Sequence, residues 1–193
     1  MENIQANLLR DIVHFLDAKK IPYMITGSWS SIYYGRPRAS HDIDFVIELP
    51  IKDIGKTTQD FSRLPDTFMI DIDTIKEAVQ NKSQFQAIHL PTMLKMDFWI
   101  LTNQEFDKNR FLRRKKIKLF GHMMVMATPE DTIIQKLIWF SSGEIEKHLI
   151  DAAFVLQIQG KRLDRVYLQR WIKKLKLTKY YEMLKTINLE EYI

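Results

Sequence analysis

Residues 23–49 read YMITGSWSSIYYGRPRASHDIDFVIEL, and the interpretation of this stretch decides the fold. Residues 23–26 form a short apolar strand, Gly27-Ser28 a turn, and the small residues after it have helical spacing. A polar loop from Gly35 to His41 leads to Asp42-Ile43-Asp44, which opens a second apolar run from Phe45 to Ile47. Side chains alternate faces along a strand, so Asp42 and Asp44 point one way and Ile43 the other. Two neighbouring carboxylates repel unless a cation or a shared proton offsets them. A Gly-Ser turn leading into a helix offers backbone N–H groups and a hydroxyl to a phosphate. A cation site and a phosphate site within one short unit make the layout that metal-dependent phosphoryl or nucleotidyl transfer requires.

Outward from this stretch the pattern is mixed. Residues 3–18 carry Ile4, Leu8, Ile12, Phe15 and Leu16 at helical spacing, and Lys19-Lys20 with Pro22 end that helix. Residues 50–64 read as helix, and Asp73-Thr74 reads as the cap of another helix running to Val79. QFQAIHL from Gln84 alternates as a half-buried strand does, and TMLKMDFWIL from Thr92 reads as a further strand. Asn103 to Arg110 is read as a short helix, and KIKLF and MMVM as a hairpin joined through Gly121-His122. The composition changes after Ala127. Thr128-Pro129-Glu130-Asp131 is a strong helix start, and residues 144–159, 164–175 and 178–187 read as three more helices. The expected architecture is α/β (α+β): a mixed-sheet core over residues 1–127, followed by an all-helical lobe over 128–193.

The 193 residues are enough for one sizeable core or two small ones. No apolar run approaches the roughly 18 residues of a membrane span, so no membrane partner is expected. There is no cysteine, which excludes disulfides and thiolate metal sites. The first twenty residues lack the pattern of a secretory signal, and with the missing cysteines this points to a cytoplasmic location. The net charge of +5 is uneven: residues 1–109 hold 12 Lys/Arg against 15 Asp/Glu, and residues 110–193 hold 17 against 9. A basic second half suits a polyanionic partner such as RNA or a nucleotide; Lys-rich helices that keep a protein soluble explain it equally well.

Asp42-Ile43-Asp44 has an internal control, because Asp71-Ile72-Asp73 repeats it ahead of a helix. What sets the first copy apart is the apolar strand after it and Gly27-Ser28 fourteen residues before it. One acid pair can hardly hold two Mg²⁺ ions in octahedral oxygen shells, so a third carboxylate is needed. Asp97, inside the apolar run LKMDFWIL, is the natural candidate, since burying a lone carboxylate is costly without a matching charge. The alternatives are that Asp97 faces solvent or pairs with Lys95. Arg36 and Arg38 precede the acid pair and could reach a triphosphate or an acceptor backbone, or lie solvated in their loop. The run Arg110-Phe111-Leu112-Arg113-Arg114-Lys115-Lys116 has the composition of an RNA-binding surface and equally of a basic sheet edge.

Gly27-Ser28, then Asp42-Ile43-Asp44, then Asp97 resembles the signature of the DNA polymerase β-like nucleotidyltransferase superfamily. More narrowly, the chain resembles the nucleotidyltransferase toxins of abortive-infection toxin–antitoxin systems and their uncharacterised relatives. That likeness rests on residues 36–41 (RPRASH), FQAIHLPTMLKMDFWIL, KLIWF and residues 148–171, and covers about residues 5–177. The resemblance implies transfer of a nucleoside monophosphate from an NTP, ATP among them, to a hydroxyl acceptor. Asp42 and Asp44 would hold Mg²⁺ on the triphosphate, and Asp97 would help bind a second Mg²⁺ and draw the proton from the acceptor. Gly27 and Ser28 would contact the β- and γ-phosphates. In the related toxins a lysine and a later aspartate of the helical lobe also matter, and Lys136 and Asp151 stand in similar phrases. Asp151 could instead pair with Lys147 four residues earlier. The implied acceptor is RNA, a tRNA 3′ end, and the implied partner a cognate antitoxin protein. The alternatives are a small-molecule acceptor of aminoglycoside type and a non-catalytic nucleotide- or RNA-binding module of the same fold. Trp29 departs from the small residue that many relatives have after the Gly-Ser pair: it belongs to the core or narrows the nucleotide pocket.

Overall fold

The computed structural model describes residues 4–192. The chain folds into two compact units. The first comprises the described residues through Thr26 together with Ser40–Met126, and the second comprises Gly27–Ala39 with the residues from Ala127 onward. This division differs from a single cut near residue 127 in one stretch, Gly27–Ala39, which packs with the helices.

The first unit holds one seven-stranded mixed sheet, in the order β3-β4-β5-β2-β1-β7-β6. Its strands are β1 (Tyr23–Thr26), β2 (Asp42–Ile47), β3 (Phe68–Ile70), β4 (Gln84–His89), β5 (Leu94–Ile100), β6 (Lys115–Leu119) and β7 (His122–Met126). β2 runs parallel to β5 and antiparallel to β1, and β4 runs antiparallel to both β3 and β5. The helix predicted from residue 3 is α1 (Ile4–Ala18); residue 3 itself lies outside the described residues. The segment after β2 is a 3-10 turn, Ile51–Asp53, followed by α3 (Ile54–Phe61).

α4 (Ile72–Asn81) is capped by Asp71, whose Oδ1 accepts from Asp73 N at 2.9 Å. This corrects the expectation that Asp73 is the cap: of the repeated Asp-Ile-Asp, the first acid is extended and the second is already helical. α5 (Glu105–Arg113) starts two residues later than the sequence suggests and continues three further. The β6–β7 hairpin turns through Phe120 and Gly121, both at positive φ, as a two-residue mirror turn requires. β6 is the terminal strand, and its exposed Lys115, Lys116 and Lys118 give it the charge of a protected edge.

One face of the central strands carries an aromatic ladder. Phe45, Phe98 and Phe85 stand opposite one another on β2, β5 and β4. Phe45 stacks on Phe98 at 5.3 Å and Phe98 on Phe85 at 5.0 Å. Phe61 of α3 meets both Phe85 and Phe98 edge-on, and Phe15 of α1 meets Phe61. All three strand phenylalanines and Phe61 are buried.

The second unit contains α2 (Gly27–Tyr34), α6 (Pro129–Gly143), α7 (Glu146–Gln159), α8 (Arg165–Lys174) and α9 (Thr178–Met183). α6 starts where the sequence places it: Thr128 accepts from Asp131 N, and Pro129 stands at the first helical position. Asp131 is buried and also accepts from the Tyr167 hydroxyl at 2.6 Å, which ties α8 to the foot of α6. Gly35 closes α2; a Cβ there would lie 2.7 Å from Ser31 O and 3.2 Å from a Val155 methyl carbon of α7.

The aromatic ladder sets a test of the sheet. Phe98→Ala removes the ring shared by three contacts and should cost about 3–5 kcal/mol, read as a lower urea midpoint with an unchanged slope.

Candidate active site

Strand alternation and register build a group of candidate residues within the sheet unit. Asp42 and Asp44 share a face of β2, and β5 runs parallel with Asp44 opposite Asp97 and Asp42 opposite Lys95. Neighbouring strands lie about 4.8 Å apart, so the Asp44 and Asp97 backbones are as close as two strands allow. Across Asp97, on β4, stands Gln86, whose Nε2 donates to Asp97 Oδ1 at 2.7 Å. Asp42 is exposed, while Asp44 and Asp97 are half-buried.

Burial first and the Asp44 charge second push the Asp97 carboxyl above its ordinary range; the Gln86 hydrogen bond pulls the other way, and Asp42 adds to the rise. Of the two alternatives for Asp97, full solvent exposure is not observed, and Lys95 contributes only a weak opposing charge.

Among the described residues, no three His, Asp or Glu side chains form a ready-made ion cage. The donor set nevertheless suits Mg²⁺: hard carboxylate oxygens, two on one strand and one on its neighbour, whose mutual repulsion a divalent cation offsets.

A separate group of candidate residues lies in the helical unit. Gly27, at φ 63°, enters α2 directly from β1, and its carbonyl accepts from the Ser30 and Ser31 hydroxyls. A side chain at Gly27 would strain that left-handed backbone. Ser28 is buried, and its Oγ accepts from Arg38 Nη2 at 3.1 Å. Arg38 grips Asp151 of α7 with two bonds, Nε to Oδ1 at 2.9 Å and Nη2 to Oδ2 at 2.7 Å. Lys136 of α6 closes the set with Nζ 2.8 Å from Asp151 Oδ2.

Lys136 is 2% exposed and Asp151 4%. Burial alone would push the Asp151 carboxyl up, but the Arg38 hydrogen bonds and the Lys136 charge outweigh it and hold it below its ordinary range. Asp151 is thus held by Arg38 and Lys136 from distant parts of the chain, in place of the pairing with Lys147 that its helical spacing suggests. Arg38 is likewise bound into the fold, with a fourth bond to Ala39 O. Arg36 lies over the Phe154 ring at 4.5 Å. Trp29 is buried and belongs to the core of this unit.

Two residues escape a reading of the sequence. Gln86 carries no motif, and only its register opposite Asp97 reveals it. His148 packs against Trp139 at 5.3 Å beside Lys136 and Asp151. Burial, then the Lys136 charge, lowers its pKa to about 4, so the ring is neutral in the fold. Its buried Nδ1 has no hydrogen-bond partner among the described residues.

The chain matches no protein-family model and no curated protein. Its fold is nonetheless that of nucleotidyltransferases, as solved structures show. The antibiotic-resistance factor ANT(2'')-Ia aligns at a TM-score of 0.62 and 14% identity, covering 95% of this chain and 99% of its own. An antigenic nucleotidyltransferase-like protein from Paracoccidioides brasiliensis aligns at 0.56 and 16%, covering 93% and 91%. The lincosamide antibiotic adenylyltransferase LnuA, solved with lincomycin, aligns at 0.53 and 13%, covering 81% and 98%.

Two outcomes follow for the buried cluster. Asp151→Ala leaves two cations without their carboxylate and should cost about 3–5 kcal/mol, measured by urea unfolding at neutral pH. Because His148 stays neutral in the fold but takes a proton near 6.5 when unfolded, its contribution is complete above that pH. It is lost progressively as pH falls towards about 4, and His148→Phe should flatten this part of the stability–pH curve.

Proposed function

We propose that the chain is a Mg²⁺-dependent nucleotidyltransferase that moves a nucleoside monophosphate from an NTP to a hydroxyl acceptor. The observation that carries this reading is the in-register neighbouring of Asp44 and Asp97, with Asp42 on the same sheet face. Three acids crowded on one face destabilise a fold unless they serve a cation. Bound there, Mg²⁺ would neutralise the charge that develops on the transferring phosphoryl group.

In this reading Asp42 and Asp44 bind the metal of the NTP, and Asp97 takes the proton of the acceptor hydroxyl as its oxygen bonds to the α-phosphorus. The bond from that phosphorus to the bridging oxygen breaks, and pyrophosphate leaves with the electron pair. Gly27 and Ser28 receive the β- and γ-phosphates at the start of α2. Arg38, locked by Asp151 and Lys136, acts as a positioning residue that holds the Ser28 hydroxyl. Arg36 remains a candidate phosphate contact through its charge.

The acceptor belongs to one of two classes. An RNA 3′ end is supported by the net charge of +8 on residues 110–193, and with it a toxin role curbed by an antitoxin partner. A small hydroxyl compound is the other: tobramycin is what ANT(2'')-Ia carries in its adenylyl-2''-tobramycin complex, and lincomycin is bound to LnuA.

Incubation with labelled NTPs, Mg²⁺ and either total RNA or amino sugars should label an acceptor. Asp44→Asn should lower that transfer about a hundredfold or more while the protein stays folded. Transfer that is absent with every acceptor, or undiminished in Asp44→Asn, would overturn the proposal. Expression should arrest growth only if RNA is the acceptor.

A further inference from the structure

Beyond the ends of β2 and β5 lies a hollow of about 450 Å³, within the range of small-molecule sites. The two strands run parallel and both finish there: Glu48 and Leu49 follow β2, and Leu101 follows β5. Crevices beyond the carboxyl ends of parallel strands are recurrent ligand positions. The rest of the wall comes largely from Lys82 at the end of α4, from α5 and from Arg114, so the hollow belongs wholly to the sheet unit. It stands apart from the carboxylate cluster. Asp44 and Asp97 lie three residues before the ends of their strands, roughly 10 Å back along the sheet at about 3.3 Å per residue.

Charge singles this hollow out. Lys82 and Arg114 are half-buried in its wall and Lys108 is exposed there. Among the described residues none of the three forms an ion pair, whereas Lys19 is held by Asp60 and Arg110 by Asp107. Lys82 Nζ reaches only the Leu49 carbonyl, at 3.5 Å. Arg114 donates Nη1 to Phe111 O, and its Cζ lies 4.0 Å from the centre of the Phe111 ring. The ring thus holds the guanidinium plane while other N–H groups of the fork remain for an anion. Burial lowers the Arg114 pKa from its ordinary value and the Glu48 charge opposes that fall; the group stays a cation either way.

The acid of the wall is Glu48, itself exposed. Three cations against one carboxylate leave two positive charges unmatched, close to the charge of about −1.5 to −2 that a phosphate monoester carries at neutral pH. Between the charges the wall is apolar: Leu49 and Phe111 are buried, and Leu112 stands 80% exposed next to Phe111. An RNA strand needs a groove that tracks its backbone. A hollow of this size instead takes one phosphate and the apolar group attached to it.

We propose that this hollow is a small-molecule site separate from the carboxylate cluster, and that its ligand is a phosphate monoester on an apolar body. Lys82, Lys108 and Arg114 meet the phosphate, and Leu49, Leu101 and Phe111 meet the body. The site needs neither Mg²⁺ nor an NTP, so it stands independently of the nucleotidyltransferase reading.

The test uses the full chain with methyl-labelled Leu, in EDTA so that the carboxylate cluster holds no metal. The probe is 1-naphthyl phosphate, with 1-naphthol, inorganic phosphate and a single-stranded RNA oligonucleotide titrated separately. Naphthyl phosphate should shift the Leu49, Leu101 and Leu112 methyl signals and bind about tenfold or more tighter than naphthol or phosphate alone. Lys108→Glu and, independently, Lys82→Glu should each weaken that binding about tenfold or more and leave Mg·ATP binding, measured without EDTA, unchanged. Leucine signals that stay still, naphthol bound as tightly as its phosphate, or binding indifferent to both substitutions would overturn the assignment. So would RNA that moves the same leucines and displaces the probe. Labelled-NTP transfer keeps the two readings apart: it can fail while this binding persists, and this binding can fail while transfer persists.

Discussion

The register between β2 and β5 is the constraint on which the carboxylate cluster of the sheet unit depends. Asp44 and Asp97 face each other across that ladder, and one residue further along, on the opposite face, Phe45 and Phe98 do the same. The two pairs have opposite energetic sign. Adjacent carboxylates repel, whereas stacked buried rings contribute about 0.5–1.5 kcal/mol per pair beyond their area burial. A slip of one residue would turn the rings to the acid face and a carboxylate into the core, so register is strongly specified. The hydrophobic face thus holds together what the charged face would push apart. Burial first, and this repulsion second, raise the Asp97 carboxyl above its ordinary range.

The helical unit handles charge differently. Asp151 is almost fully buried yet held below its ordinary range, because Arg38 and Lys136 supply bonds and charge to both carboxylate oxygens. Such a pair adds little net stability compared with apolar packing, but it fixes geometry tightly. Here what it fixes is the Arg38 guanidinium, and through it the Ser28 hydroxyl. The neutral His148 fits the same logic: beside two cations in a buried setting, a third positive charge would be unsupported.

Legibility in the sequence follows the range of each interaction. The alternation Asp42-Ile43-Asp44, the Thr128-Pro129 helix start and the Gly121 hairpin are local, and all can be read from neighbouring residues. β3 cannot, since three residues, Phe68–Ile70, are too few to show alternation. The choice between Asp71 and Asp73 as cap turns on one backbone angle, which composition does not encode. The partner of Asp151 is hidden because Lys147 is near in sequence, while Arg38 lies 113 residues away. Gly27–Ala39 reads as part of the sheet half by continuity with β1, but α2 packs against α6 and α7. Gln86 needs the β4–β5 register before it means anything.

Gln86 is also the case with the widest consequence. Once β4 is aligned on β5 by Phe85 against Phe98, the residues on either side of Phe85 are forced onto the acid face. Gln86 then extends the row that begins with Asp44 and Asp97, while Ile88 and Met69 stand in the neighbouring row with Asp42 and Lys95. The first row runs from two carboxylates to an amide and the second from a carboxylate through a cation to two apolar side chains, an order set by strand pairing instead of any local motif.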